Sequence, residues 1–260
     1  MLTAESEGGQ LKSHPYWKGG DYGPLKLKSL SEKRVSLDYT RASSKPSNSD
    51  ERPSMGRRRS TNPSTAAGKD LHKDAKSPSM DTPHLIVRKL ALSHAAHPFA
   101  SPHEVTQLHY SCWPDFGAPA HPIHVLRLVE QCNAVVRNTA KSRDSLDPES
   151  AGQRPVVVHC SAGCGRTGTF CTVDSVLDML KRQRRERAGK AQKDRMDVDD
   201  GNWVNRDDLD LVAKTVEDLR DQRLSMVQSL RQFVLCYETV LEWIVAQQAV
   251  KQGSEGKEGT

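Results

Sequence analysis

Apolar residues in this chain of 260 residues come in short alternating or helically spaced runs, separated by long polar stretches. Lys26 to Ser36 reads as a strand region, and strand patterning resumes at Leu85-Ile86-Val87 and at Val105 to Tyr110. The β-branched run Val156-Val157-Val158 predicts a further strand, covered on both faces. Helical spacing governs most of the rest. From Ile123 to Val136 the apolar positions are dense, with Val125, Leu126, Val129 and Cys132 among them. Phe170, Val173, Leu177 and Leu180 form one stripe, and Asp207 and Asp208 are placed to cap a helix bearing Leu209, Val212, Val216 and Leu219. The last helix carries Leu230, Phe233, Val234, Tyr237, Val240, Leu241 and Ile244. Strands and helices in this order predict an α/β fold, a twisted mixed sheet flanked by helices.

The polar stretches divide the chain. Residues 39–82 are rich in Ser, Pro, Asn, Lys and Arg with hardly any apolar periodicity, the composition of a disordered insertion. Two smaller polar insertions are expected near 141–153 and 186–203, and 250–260 as a disordered tail. Folded structure is therefore expected in 1–38, with early strands, and in a core spanning 83–249.

The chemistry concentrates after the valine run, in His159-Cys160-Ser161-Ala162-Gly163-Cys164-Gly165-Arg166-Thr167-Gly168. Ser161, Ala162, Gly163 and Gly165 allow a tight bend whose successive N–H groups point at one centre, an anion nest. Cys164 lies in the same loop. A helix starting at about Thr167 adds free N–H donors and the positive end of its dipole. Arg166 supplies a planar fork that can grip two phosphate oxygens. The field that holds a phosphate also stabilises a thiolate, so Cys160 is expected to ionise readily and to act as a nucleophile toward phosphorus. Upstream, Trp113-Pro114-Asp115-Phe116-Gly117 sits in a loop forced by Pro114, Gly117 and Pro119. Expelling a phenolic oxygen from phosphorus needs a proton donor, and Asp115 is the candidate.

Together these strings resemble the protein tyrosine phosphatase superfamily, whose signature is H-C-S-A-G-x-G-R-T-G paired with a Trp-Pro-Asp acid loop. Rhodanese-type sulfur transferases share the cysteine loop but not the pair. Arg220, Arg223, Met226, Val227, Gln228, Gln232 and Tyr237 resemble the family's glutamine loop. The resemblance implies that Gln228 positions the hydrolytic water and that Gln232 supports it. It implies that His159 tunes the thiolate, that Thr167 eases its departure, and that no metal or other cofactor is needed. Ser225 followed by Gln228 also reads as a capping box for the last helix. Glu5, Gly8, Gly9, Lys12, Tyr16, Trp17, Tyr22 and Gly23 resemble an internal part of the same domain, which implies a fold incomplete at its N-terminus. Glu104 to Pro119 and the C-G-R-T-G loop look most like fungal phosphatases of mitogen-activated kinases.

Composition narrows the setting. The net charge of +5 suits an acidic phosphopeptide better than nucleic acid. No run is apolar enough to span a bilayer. Six cysteines show no paired metal-ligand pattern, and an ionised nucleophilic cysteine needs a reducing compartment, cytosol or nucleus. The expected activity is hydrolysis of phosphotyrosine in proteins by a monomer. The competing readings are a catalytically impaired phosphotyrosine-binding scaffold and a dual-specificity phosphatase, the latter disfavoured by the glutamine loop.

Overall fold

The computed structural model describes residues 1–37, 83–140, 155–190, 206 and 208–255. The insertions expected at 39–82 and 141–153, and most of that near 186–203, lie outside them. The described chain is α/β. Two short strands, β1 (Ser6–Glu7) and β2 (Gln10–Leu11), form a hairpin whose turn places Gly8 and Gly9 at φ 57° and 78°. A 3₁₀ turn over Tyr16–Lys18 leads into a four-stranded antiparallel sheet. Its strands β3 (Gly20–Tyr22), β4 (Leu25–Ser36), β5 (His84–His94) and β6 (His103–His109) pair in that order. Register slips once, between Ser29 and Ser31, where exposed Leu30 is the extra residue of a bulge.

A parallel element joins this sheet through the first residues. The Met1 nitrogen donates to Leu108 O at 2.8 Å and Tyr110 N donates to Met1 O at 2.9 Å. These bonds flank His109 in the parallel pattern. Leu2 N then donates to His159 O at 2.8 Å, so the first residues tie β6 to the segment before Cys160.

That segment corrects one expectation. Residues 155–160 form no regular strand, and Val157 is 84% exposed rather than buried on both faces. A valine run states only a preference for extended backbone; burial depends on neighbours, and the bond from Leu2 reaches this segment at His159, beyond the valines.

Four helices follow: α1 (Pro122–Ala140), α2 (Gly165–Lys190), α3 (Leu211–Gln222) and α4 (Leu230–Glu255). Leu85 and Val87 on one face of β5 meet Val125 and Val129 of α1, Phe170 and Val173 of α2, Val212 and Val216 of α3, and Leu235 and Val240 of α4. Each such side chain, fully buried, contributes about 1.5–3 kcal/mol, and this shared core sets how the helices sit around the cysteine loop. On the opposite face of β5, Leu90 packs with Met1 and Trp17.

Helix boundaries differ from expectation in four places. Asp210, not Asp208, caps α3, its side chain accepting from Ala213 N at 3.0 Å; Asp208 instead pairs with Arg206, Leu209 lies outside the helix, and Asp207 lies outside the described residues. Ser229, not Ser225, caps α4 by accepting from Gln232 N at 3.2 Å. Backbone explains the latter, because Ser225 and Val227 have φ of 65° and 57° and cannot open a helix. α2 starts at Gly165 and continues through Lys190, into the 186–203 stretch expected to be a polar insertion. α4 runs to Glu255, into the stretch expected to be a tail. Arg, Lys, Glu and Ala are good helix formers, so polar composition alone does not end a helix.

Candidate active site

The cysteine loop has the expected architecture. Gly163, at φ 69°, turns the chain so that its own N–H donates to Cys160 Sγ at 3.2 Å. The Thr167 hydroxyl, buried without a hydrogen-bond partner, and the amides of Thr167 and Cys164 also act electrostatically on the sulfur. Burial pushes the Cys160 thiol up, but the Thr167 hydroxyl and these three amides outweigh it and hold the thiol below its ordinary range. Cys236 shows the contrast: buried with little to stabilise a charge, its thiol is pushed up to about 12. Of the two thiols, Cys160 is the one its surroundings favour ionising, while Cys236 is inert.

The loop is braced from outside. Arg223 Nη2 donates to Ala162 O at 2.9 Å, and Gly168 N donates to Cys164 O at 2.7 Å. Cys164 Sγ points to Ala162 O at 3.5 Å. Ser161 and Ala162 are exposed at the mouth.

Arg166 opens the first turn of α2 and is 1% exposed. Nη1 donates to Glu7 Oε1 at 2.6 Å and to Trp113 O at 2.8 Å, while Nη2 donates to Asp115 Oδ1 at 3.1 Å. Its Nε is buried without a partner. A buried orphan donor is costly, and a phosphate oxygen would satisfy it. Asp115 also pairs with Lys12 at 3.3 Å. Glu7 and Lys12 pair with Arg166 and Asp115, contacts to which the sequence assigned neither residue. They stand on either side of the β1–β2 turn, 159 and 103 residues away from their partners in sequence. A charged pair flanking Gly8-Gly9 is the one local signal that could have suggested them. Burial raises the Glu7 carboxyl, but the Arg166 guanidinium and Thr3 hydroxyl bonded to it bring it below the usual carboxylate range.

The acid loop is internally tied. Trp113, fully buried, donates from Nε1 to Gly117 O at 3.0 Å, and Gly117 N donates to Pro114 O at 3.2 Å. A Cβ on Gly117 would lie 2.8 Å from Pro114 Cγ, so this turn excludes side chains. Ser229 Oγ donates to Phe116 O at 3.1 Å, joining the acid loop to the glutamine loop.

That glutamine loop is held in a strained path by Arg220, which donates to Met226 O and Val227 O, each at 2.9 Å. Val227 is β-branched with a positive φ, a conformation that costs about 1–3 kcal/mol and needs such support. Gln228 and Gln232 close over Gly165: an added Cβ there would meet Gln232 Oε1 at 2.8 Å and Gln228 Oε1 at 2.9 Å. Gln232 is buried and accepts from Gln228 N at 3.0 Å, while Gln228 is exposed at the mouth. His159 lies behind the loop, bonded to Tyr16 at 2.8 Å. The structure thus brings every expected site residue to the cysteine loop or its immediate supports. Chemically, the arrangement offers a nucleophile, an anion cradle with one open guanidinium donor, and a carboxyl above it.

Comparison with known proteins agrees. The chain is 32% identical over 161 residues to tyrosine-protein phosphatase 3 of Saccharomyces cerevisiae, covering 60% of this chain and 15% of that protein. Over 138 residues it is 36% identical to human receptor-type tyrosine-protein phosphatase alpha, covering 53% of this chain and 13% of the relative. With tyrosine-protein phosphatase 2 of S. cerevisiae it shares 33% over 170 residues, 58% of this chain and 21% of the relative. The chain therefore spans a small part of the length of these relatives. No helix among the described residues is long and apolar enough to cross a membrane. Residues 61–242 match the profile of the protein-tyrosine phosphatase family, and the chain belongs to that family.

Proposed function

We propose that this chain hydrolyses phosphotyrosine in proteins through a cysteinyl-phosphate intermediate, as a monomer in the cytosol or nucleus. One observation carries the reading: Cys160, with the Gly163 amide 3.2 Å from its sulfur, shares a cradle with Arg166, whose guanidinium lies 3.1 Å from Asp115. Substrate phosphate takes up the loop amides and the open Arg166 Nε, which stabilise the charge on its equatorial oxygens. The Cys160 thiolate forms the S–P bond as the P–O bond to tyrosine breaks, and Asp115 gives its proton to the departing phenolate. In the second half Asp115 takes a proton from a water oriented by Gln228. That water's oxygen bonds to phosphorus as the S–P bond breaks, and the Thr167 hydroxyl stabilises the returning thiolate.

A kinase signalling pathway is the proposed setting, with a mitogen-activated kinase as a substrate. This rests on the likeness of Glu104 to Pro119 and of the C-G-R-T-G loop to fungal phosphatases of those kinases. The test is turnover of a phosphotyrosyl peptide against its phosphoseryl counterpart. Release of phosphate from the first alone supports the reading. Equal release from both points to dual specificity, and tight retention of the peptide without release points to a binding protein.

A further inference from the structure

The acid loop meets the start of α4 through a single hydroxyl. Ser229, half-buried at the N-cap of α4, accepts from Gln232 N at 3.2 Å and donates to Phe116 O at 3.1 Å. A serine hydroxyl has one proton and two lone pairs, so both bonds stand together. Their direction is fixed: an amide N–H only donates and a carbonyl only accepts, so the serine proton goes to Phe116. The residue after Asp115 is therefore tied to the first turn of α4. Gln232 Oε1 in turn accepts from Gln228 N at 3.0 Å, so the same contact joins the acid loop to the glutamine loop.

Phe116 needs such a tie. Its φ is 54°, a left-handed backbone at an aromatic residue, and its side chain is 62% exposed, so packing does little to hold it. The Asp115 side chain beside it is held by charge, with Arg166 Nη2 at 3.1 Å and Lys12 Nζ at 3.3 Å. Main-chain ties up to Asp115 run to the same charged cluster: Arg166 donates to Trp113 O at 2.8 Å, and the Asp115 amide acts on the Glu7 carboxyl. In a general acid the side-chain ties have a weakness. Asp115 must carry a proton as the leaving group departs, and a neutral carboxyl is a weaker partner for either cation. Ser229 holds the main chain after Asp115, outside the charged cluster, and its bond to a carbonyl is the same whether Asp115 is charged or neutral.

We propose that Ser229 is a positioning residue for the proton donor: its hydroxyl latches Phe116 O to the start of α4 and keeps Asp115 over Cys160 while that carboxyl is protonated. The role rests on Asp115 being the acid; the latch itself does not. Ser229 has two duties, capping α4 and holding the acid loop, and substitutions separate them. Ser229→Asp keeps an acceptor for Gln232 N, and aspartate caps helices as well as serine, but at neutral pH it has no proton to give Phe116. Ser229→Thr keeps both duties. Ser229→Ala loses both.

Hydrogen exchange reads the latch without turnover. The Gly117 N–H, bonded to Pro114 O at 3.2 Å, should exchange faster in Ser229→Ala and Ser229→Asp and at the parental rate in Ser229→Thr. The role is read from kcat/KM across aryl phosphates of rising leaving-group pKa. Losing one hydrogen bond should slow esters of poor leaving groups about fivefold more than esters of good ones, in both Ser229→Ala and Ser229→Asp. The charge added by Ser229→Asp acts on all esters alike, so the comparison within the series removes it, and its thermal melting should stay near the parent's. In an Asp115→Asn background, Ser229→Ala should cost nothing further, because no proton is left to aim. Parental exchange in both folded variants, slowing that is equal across the series, or slowing that persists in Asp115→Asn overturns the proposal. Should Ser229→Ala not fold, Ser229→Asp and Ser229→Thr decide. A parent that turns over no ester contradicts the phosphatase reading instead, and the exchange rates still decide the latch.

Discussion

Replacing Glu7 with glutamine removes one charge from the buried Arg166 cluster while keeping side-chain size. Glu7 Oε1 lies 2.6 Å from Arg166 Nη1, in a pair whose side chains are 1% exposed at the arginine and 23% at the glutamate. Two unit charges about 4 Å apart attract by about 4 kcal/mol at an effective dielectric of about 20. The amide oxygen of glutamine still accepts the hydrogen bond, and water on the Glu7 side screens the pair, so a loss of about 1–2 kcal/mol is expected. At about 1.4 kcal/mol per factor of ten, kcat/KM for an aryl phosphate should fall about tenfold, because Arg166 is less firmly aimed. The loss should be less than additive with Asp115→Asn, since both carboxylates hold one guanidinium. Stability has a pH signature. The Glu7 carboxyl is held below its usual 4.5, so its contribution is complete above that pH and disappears as pH falls through the lowered value. Urea melts of parent and Glu7→Gln should therefore differ at neutral pH and converge in acid. A variant with parental kcat/KM and a pH-independent stability difference would refute the reasoning.

Cys160→Ser should abolish turnover while keeping affinity for tungstate, because the cradle is mostly main chain and Arg166; residual turnover in that variant would remove the covalent step. Asp115→Ala should slow esters of poor leaving groups by about 100-fold or more and those of good ones far less. Equal slowing across a leaving-group series would take Asp115 out of the acid role. Gly168→Ala should cost about 1–3 kcal/mol in thermal melts, since its Cβ would lie 2.5 Å from Val227 N and push the glutamine loop outward. An unchanged melting temperature would show that the loop yields freely.

Cys160, Arg166 and Asp115 were legible in sequence because each lies in a short string whose backbone and chemistry are both local: a tight turn, a helix start, a proline-bounded loop. Gln228 and Gln232 were legible only through likeness to the family. The pairing of Glu7 and Lys12 with Arg166 and Asp115 was not, since the charged pair flanking Gly8-Gly9 carries no mark of partners more than 100 residues away. The hydrogen-bonded path from Glu32 through Arg88, Gln107 and Tyr16 to His159 escaped for the same reason: it crosses β4, β5, β6 and the 3₁₀ turn, and its members are neighbours only in space. The valine run failed in the opposite way. It predicts a strand covered on both faces, but pairing and coverage come from neighbours that a local pattern does not specify, and residues 155–160 form no regular strand. Likewise the helix cap moved from Ser225 to Ser229 because a left-handed backbone at Ser225 and Val227 outweighs a plausible capping spacing.

The central claim is a phosphoryl group passed from tyrosine to the Cys160 sulfur. The most direct measurement is acid quench of the protein turning over a phosphotyrosyl peptide, followed by mass spectrometry of its own peptides. The account predicts phosphate on the peptide containing Cys160, accumulating further in Gln228→Ala, where the second step is slowed. Turnover with no phosphorylated cysteine in either protein, or phosphate found on a different residue, would contradict it.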